Sequence, residues 1–277
     1  MSPAAQPGPV GHHGTEVGPV AQAVAVAVLV VLVGYLVASH RTDGRRWSPW
    51  RTVSFGVGSA LLLLALLAPW AGFVGHMWRH LLIGMLGPLG LVLGAPVTLA
   101  LRTLSPPAGR RMLRVLRTVA VRLLTHPVTA LAISLGGLYL LYLTPLYRAS
   151  TTDGLLHDLV HLHVLLAGLA FTWSVTGPDP APHRPGVPLR LVVLGVSIAA
   201  HAALAQLLYA GLYVDVPAPA DARRAGATVM YYGGDLAELL VALSLLVTWR
   251  PVRPGRTDRS IDMDTRTQQA RATDPAP

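Results

Sequence analysis

HMWRHLLIGMLGPLGLVLGAPVTLAL, residues 76–101, decides the fold class. Its only side chain of fixed charge is Arg79, and nothing ionises from Leu81 to Leu101. Coiled as a helix, a stretch of that length rises about 30 Å, which is the thickness of a bilayer's hydrocarbon core. Gly87-Pro88 and Gly94-Ala95-Pro96 interrupt it, and Gly90 and Gly94 are spaced as GxxxG. A kinked packing helix is predicted: small residues admit a neighbour closely, while prolines leave carbonyls that need other partners.

Six further apolar segments, near 18–39, 53–72, 127–147, 155–175, 188–213 and 225–249, can each cross the same distance. The chain has 277 residues, of which 52% are hydrophobic and 13% charged. Its mean hydropathy is +0.51. These values exclude an ordinary soluble domain and predict an all-α, polytopic membrane bundle of seven transmembrane helices. The expected organisation is a tail over 1–17, a membrane domain over 18–250, and a polar tail over 251–277 with too little apolar content to fold alone. Residues 1–17 contain no arginine and so lack the basic start of a secretory signal, and the first span is expected to be retained. There is no cysteine, which removes disulfides, thiolate zinc sites and CxxC copper motifs.

All 22 basic residues are arginine, and the formal charge is +9. With seven spans, eighteen of them fall in one set of loops: Arg41 to Arg51, Arg102 to Arg122, Arg184 and Arg190, and the tail from Arg250. Only Arg79, Arg148, Arg223 and Arg224 fall in the other set. By the positive-inside rule the amino terminus is outside and the carboxyl terminus cytoplasmic. The basic charge is therefore assigned to lipid, not nucleic acid. Pro106 to Thr125, where arginines alternate with apolar residues, reads as an amphipathic segment lying on the anionic inner leaflet.

Two histidine pairs share an i, i+4 spacing, His76/His80 in HMWRH and His157/His161 in HDLVH. Each pair projects two imidazoles from one helix face, and imidazole is a ligand for copper, zinc, iron and nickel. The predicted topology runs the third and fifth spans in the same direction, so all four histidines lie at similar depth near the extracytoplasmic surface. Packing of those two helices would let them share one ion or two adjacent ions. On affinity alone the Irving–Williams order favours Cu(II), with zinc kept beside it, and Met77 either packs or offers a thioether that favours Cu(I). Asp158 is either an acceptor orienting an imidazole or a carboxylate placed for the helix dipole. His163 points away from its pair, toward another group or a neighbouring helix.

A deeper polar set comprises His201 in the sixth span and Asp235 and Glu238 in the seventh. Such groups are costly inside a membrane helix, and their pairing is read as a structural lock between adjacent helices, with an ion or proton path as the alternative.

In order, HMWRHLLIGMLGPLGLVLGAPVTLALR, HPVTALAISLGGLYLLYLTPLY, HDLVHLHVLLAGLAFTWSVTGPDP and the Asp221-led seventh segment closing at Trp249 resemble the CtaG-type cytochrome c oxidase assembly factors over roughly residues 70–250. The resemblance implies a seven-helix protein, not an enzyme, that binds copper at the outer face and aids metallation of a haem–copper oxidase. By position it implies His76, Met77, His80, His157 and His161 as metal ligands, with Asp221 near the outer end of the seventh span. Asp235 and Glu238 lie outside that pattern. The expected partners are oxidase subunits and the bilayer of the cell membrane, with a homo-oligomer left open. The alternatives are a copper transporter or tolerance protein, a seven-helix zinc-dependent hydrolase, and a haem b electron carrier.

Overall fold

The protein's structure, a computed structural model, describes residues 18–42, 47–180 and 185–248. The two predicted tails lie outside these residues. Among the described residues all regular structure is helical. The elements are α1 (Pro19–His40), α2 (Pro49–Leu67), α3 (Gly72–Leu81), a π turn (Leu82–Leu86), α4 (Gly87–Leu93), α5 (Pro96–Thr103), α6 (Pro106–Leu116) and α7 (Val119–Leu124). Then follow α8 (Pro127–Leu143), α9 (Leu146–Thr152), α10 (Gly154–Thr176), α11 (Val187–Ala210) and α12 (Ala220–Thr248). Among the described residues six helical stretches are long and apolar enough to cross a membrane, the unit from α3 to α5 counting as one. The number is seven if α8 and α9, bent by 75° at Thr144-Pro145, form one span. This is the architecture of a multi-pass membrane protein.

Prolines begin many of these helices, including α1, α2, α5, α6 and α8, where a missing N–H costs nothing because no carbonyl would receive it. Other ends are capped from a distance. The carboxylate of Asp153 accepts from Leu155 N and Leu156 N at 2.9 and 3.1 Å to open α10. Helix α1 has Gly18 at its cap position, with no side chain to serve it, and Asp158 of α10 accepts from Val20 N at 3.2 Å instead. At the end of α11, Gly211 takes φ 73°, and Arg223 donates to the Leu208 carbonyl at 3.1 Å.

The broken third span is the hub, packed against α2, α10 and α12. Lipid is as apolar as leucine, so helix association here depends on close approach more than on hydrophobic burial. A Cβ on Gly90 would stand 2.6 Å from Gly58 Cα, and one on Gly94 would stand 2.8 Å from Phe55 Cβ. The GxxxG face therefore seats α2, as a packing helix should. Gly168 of α10 lies directly against the Gly84 backbone of the π turn. That turn precedes Pro88, whose ring has no N–H for the regular ladder, and the extra residue per turn absorbs the defect.

The second break, at Gly94-Ala95-Pro96, is closed by groups from elsewhere. Ala95 sits in the left-handed region at φ 51°. Val97 N and Thr98 N donate to the carboxylate of Asp179 at 3.1 and 2.7 Å, and the Thr98 hydroxyl donates to it at 2.6 Å. The Gly94 carbonyl, left without Thr98, accepts from the Tyr35 hydroxyl at 2.7 Å. Helices α6 and α7 have no buried residue, in keeping with an amphipathic segment on a surface.

Candidate metal centre

His76 lies in the middle and His80 in the last turn of α3, His157 and His161 lie near the start of α10, and the third and fifth spans do pack together. Three of the four imidazoles meet: ring centroids are 5.6 Å apart for His76 and His161, and 4.4 Å for His157 and His161. Pro145 bends the chain after α8 and brings Tyr147 of α9 over His76, 4.9 Å between centroids. The result is a cleft of about 250 Å³ lined by Trp70, Gly72, His76, Arg79, Tyr147, Thr151 and His157.

For His161 and His157, hydrogen bonds fix which ring nitrogens carry lone pairs. His161 Nδ1 lies 2.8 Å from the His157 carbonyl, which only accepts, so Nδ1 holds the proton. Its Nε2 is then an unprotonated donor atom, buried and without a partner among the described residues. His157 Nε2 lies 3.1 Å from Arg79 NH1, which only donates, so that lone pair is already taken by the guanidinium. His76 Nε2 stands 2.9 Å from the Tyr142 hydroxyl, and that hydroxyl lies 3.8 Å from Met77 Sδ. The single Tyr142 proton serves either His76 Nε2 or Met77 Sδ, so His76 is compatible with either tautomer.

The other predicted residues are distributed differently. Met77 is fully buried in an apolar cluster with Phe73, Tyr142 and Met230, and its sulfur is within reach of the Tyr142 hydroxyl. His80 lines a separate, deeper chamber with His163, His201 and Glu238. Asp158 is buried and caps α1, and it lines a small apolar pocket beside Arg79 and His161. Asp221 is exposed in the first turn of α12, a favourable place for a carboxylate at the helix dipole. Asp235 is half-buried and lines neither cavity. The expected pairing of His201 with a carboxylate is not formed: Glu238 accepts from the Ser197 hydroxyl at 2.9 Å, and both His201 nitrogens lack a partner among the described residues.

Sequence reading passed over Arg79, Tyr142 and Tyr147. Arg79 had a signal, being the single fixed charge in the stretch from 76 to 101. The tyrosines had none, because only the bend at Pro145 and the packing of α8 bring them to His76.

Among the described residues no three histidine, aspartate or glutamate side chains are already disposed to hold a metal ion together. The donor types nonetheless suit one, since a buried imidazole nitrogen with a free lone pair belongs to a ring whose centroid lies 5.6 and 4.4 Å from those of two further imidazoles. Closure requires Arg79 to release His157.

Comparison with known proteins gives a consistent result. Residues 30–251 match the family described as cytochrome c oxidase caa3 assembly factor (Caa3_CtaG). The uncharacterized proteins Mb0105 of Mycobacterium bovis and MT0111 of Mycobacterium tuberculosis are each 30% identical over 271 residues, covering 87% of this chain and 41% of theirs. ML1998 of Mycobacterium leprae is 28% identical over 252 residues, covering 82% of this chain and 38% of its own. The chain thus spans about two fifths of the length of these relatives. No solved structure matches. A family match across four of every five residues, on a helical membrane bundle, places the chain among the cytochrome c oxidase caa3 assembly factors.

Proposed function

We propose that the protein carries copper as cargo at an extracytoplasmic cluster of His76, His157 and His161 and passes it to a haem–copper oxidase subunit in the cell membrane. The observation that carries this reading is His161 Nε2: a buried lone pair, fixed by the bond from Nδ1 to the His157 carbonyl, with no partner among the described residues. A transferable ion needs ligands that exchange. Imidazoles at the wall of an open cleft supply them, and Arg79 supplies a cation to refill His157 when the ion leaves. In this reading the protein has seven spans, with α8 and α9 forming one bent span and the amino terminus outside.

A carrier fits the site better than a zinc hydrolase. The carboxylate nearest the cluster, Asp158, is committed to the start of α1 and is not free to activate water.

The test is copper content and oxidase maturation with the full chain. Purified wild type should hold copper, the His76→Ala/His161→Ala double variant should lose the outer-site ion, and a strain carrying that variant should assemble an oxidase deficient in copper. Normal oxidase copper in the variant strain would defeat the assignment.

A further inference from the structure

The deeper chamber, about 40 Å³, lies among five spans. Its wall combines His80 of α3, Met85 of the π turn, His163 of α10, Ser197 and His201 of α11, and Glu238 of α12. A void of that size holds at least one small guest, and a polar one is seldom empty. His201 is 3% exposed and Glu238 1%, yet both His201 nitrogens and Glu238 Oε2 lack any partner among the described residues. A structural lock would satisfy these atoms against each other. Here they are left unsatisfied, in a setting where each unpaired polar group is expensive.

The rings are also held in place from behind. His201 lies directly against Gly234 of α12, and His163 against Gly137 of α8, where any Cβ would collide with the imidazole. Glu238 is steadied by Ser197, which takes one carboxylate oxygen and leaves the other turned to the void.

We propose that this chamber is a second copper site, distinct from the outer cluster, taking one cuprous ion through His201 and Met85, with Glu238 as the carboxylate that balances its charge. Charge selects the oxidation state. One carboxylate neutralises a monovalent ion, whereas a divalent ion would leave a net positive charge buried. Ligand type excludes the common monovalent ions, because imidazole and thioether suit soft Cu(I) and not sodium or potassium. A d¹⁰ monovalent ion is content with two or three ligands, so a preformed cage of three nitrogen and oxygen donors is not required. His80 connects the two sites: it lies one turn, about 6 Å, along the helix from His76 and faces inward. The choice of copper rests on the function proposed above, while the chamber and its unpartnered donors do not.

The test uses the full chain in detergent, loaded anaerobically with Cu(I) against a chromophoric chelator, with copper-edge X-ray absorption on each sample. In the His76→Ala/His161→Ala background one Cu(I) per chain should remain, with a sulfur neighbour that disappears in Met85→Leu. Glu238→Gln in that background should weaken the remaining ion by more than about tenfold. Glutamine keeps the size of the side chain and an oxygen for Ser197, so it reads the site even if His201→Gln fails to fold. Wild type binding a single copper that the outer double variant loses would overturn the chamber and leave the outer reading standing. A remaining copper indifferent to Glu238→Gln and Met85→Leu would also overturn it, the chamber then holding only water. Retention of the inner ion with normal oxidase copper would sink the outer reading and sustain the chamber.

Discussion

Arg79 and His161 set opposite conditions for the two ends of one histidine pair. His161 presents a free lone pair, while the Arg79 guanidinium occupies that of His157. Replacing Arg79 with methionine keeps an unbranched apolar stem and removes the competitor. Arg79→Met should therefore tighten copper binding at the outer cluster several-fold, up to about tenfold, in chelator competition; equal or weaker binding would mean that Arg79 supports the ion and does not exclude it. At the exposed surface, Arg148 of α9 and Asp215 of the loop after α11 form an ion pair through two guanidinium nitrogens. The bond from Arg148 holds the Asp215 carboxyl below its ordinary 3.8. A carboxyl depressed in the folded state adds stability that is complete above its ordinary value and is lost as pH falls through the folded value. Thermal unfolding of wild type should accordingly fall more steeply below about pH 4 than that of Asp215→Asn, and parallel profiles would show that the pair contributes nothing. Histidine spacing revealed the candidate ligands, but the occupancy of their lone pairs depends on partners far away in sequence.

The third span shows how an element broken by its own sequence is repaired by others. Prolines 88 and 96 announced the breaks, and the small residues announced a close neighbour. Which groups would close the gaps was not legible, since Asp179 and Tyr35 reach Pro96 from 83 and 61 positions away in chain order. Asp179 caps the two leading N–H groups of α5 and the Thr98 hydroxyl. Asp179→Ala should cost roughly 1–3 kcal/mol in denaturant unfolding of the detergent-solubilised protein. Copper affinity per folded chain should stay unchanged, because α5 lies at the far end of the span from His76; a loss of affinity beyond the loss of folded protein would tie this cap to the site. The same logic explains α9. Pro145 was visible, but the bend that swings Tyr147 over His76 depends on packing against α8 and α10.

At the scale of the molecule, orientation is the prediction with the widest reach, because every statement about an outer face depends on it. The chain contains no cysteine, so single cysteines report without background. Thr151→Cys beside the cleft should react with an impermeant maleimide added to intact cells, and Arg110→Cys on α6 should react only after lysis. The reverse pattern would turn the molecule over. Sequence alone determined the class, since the length and polarity of each apolar run are local properties that answer directly to bilayer thickness. It also located the helix breaks and the histidines. Tertiary packing decided that His76 and His157 share a cleft with the His161 ring packed behind them, while His80 turns to a second chamber. The reason is physical: one helical face one turn deeper meets different neighbours, and the neighbours are set by glycine contacts such as Gly84 with Gly168 and Gly234 with His201. Spacing along a helix states which side chains are parallel; only the assembled bundle states what they face.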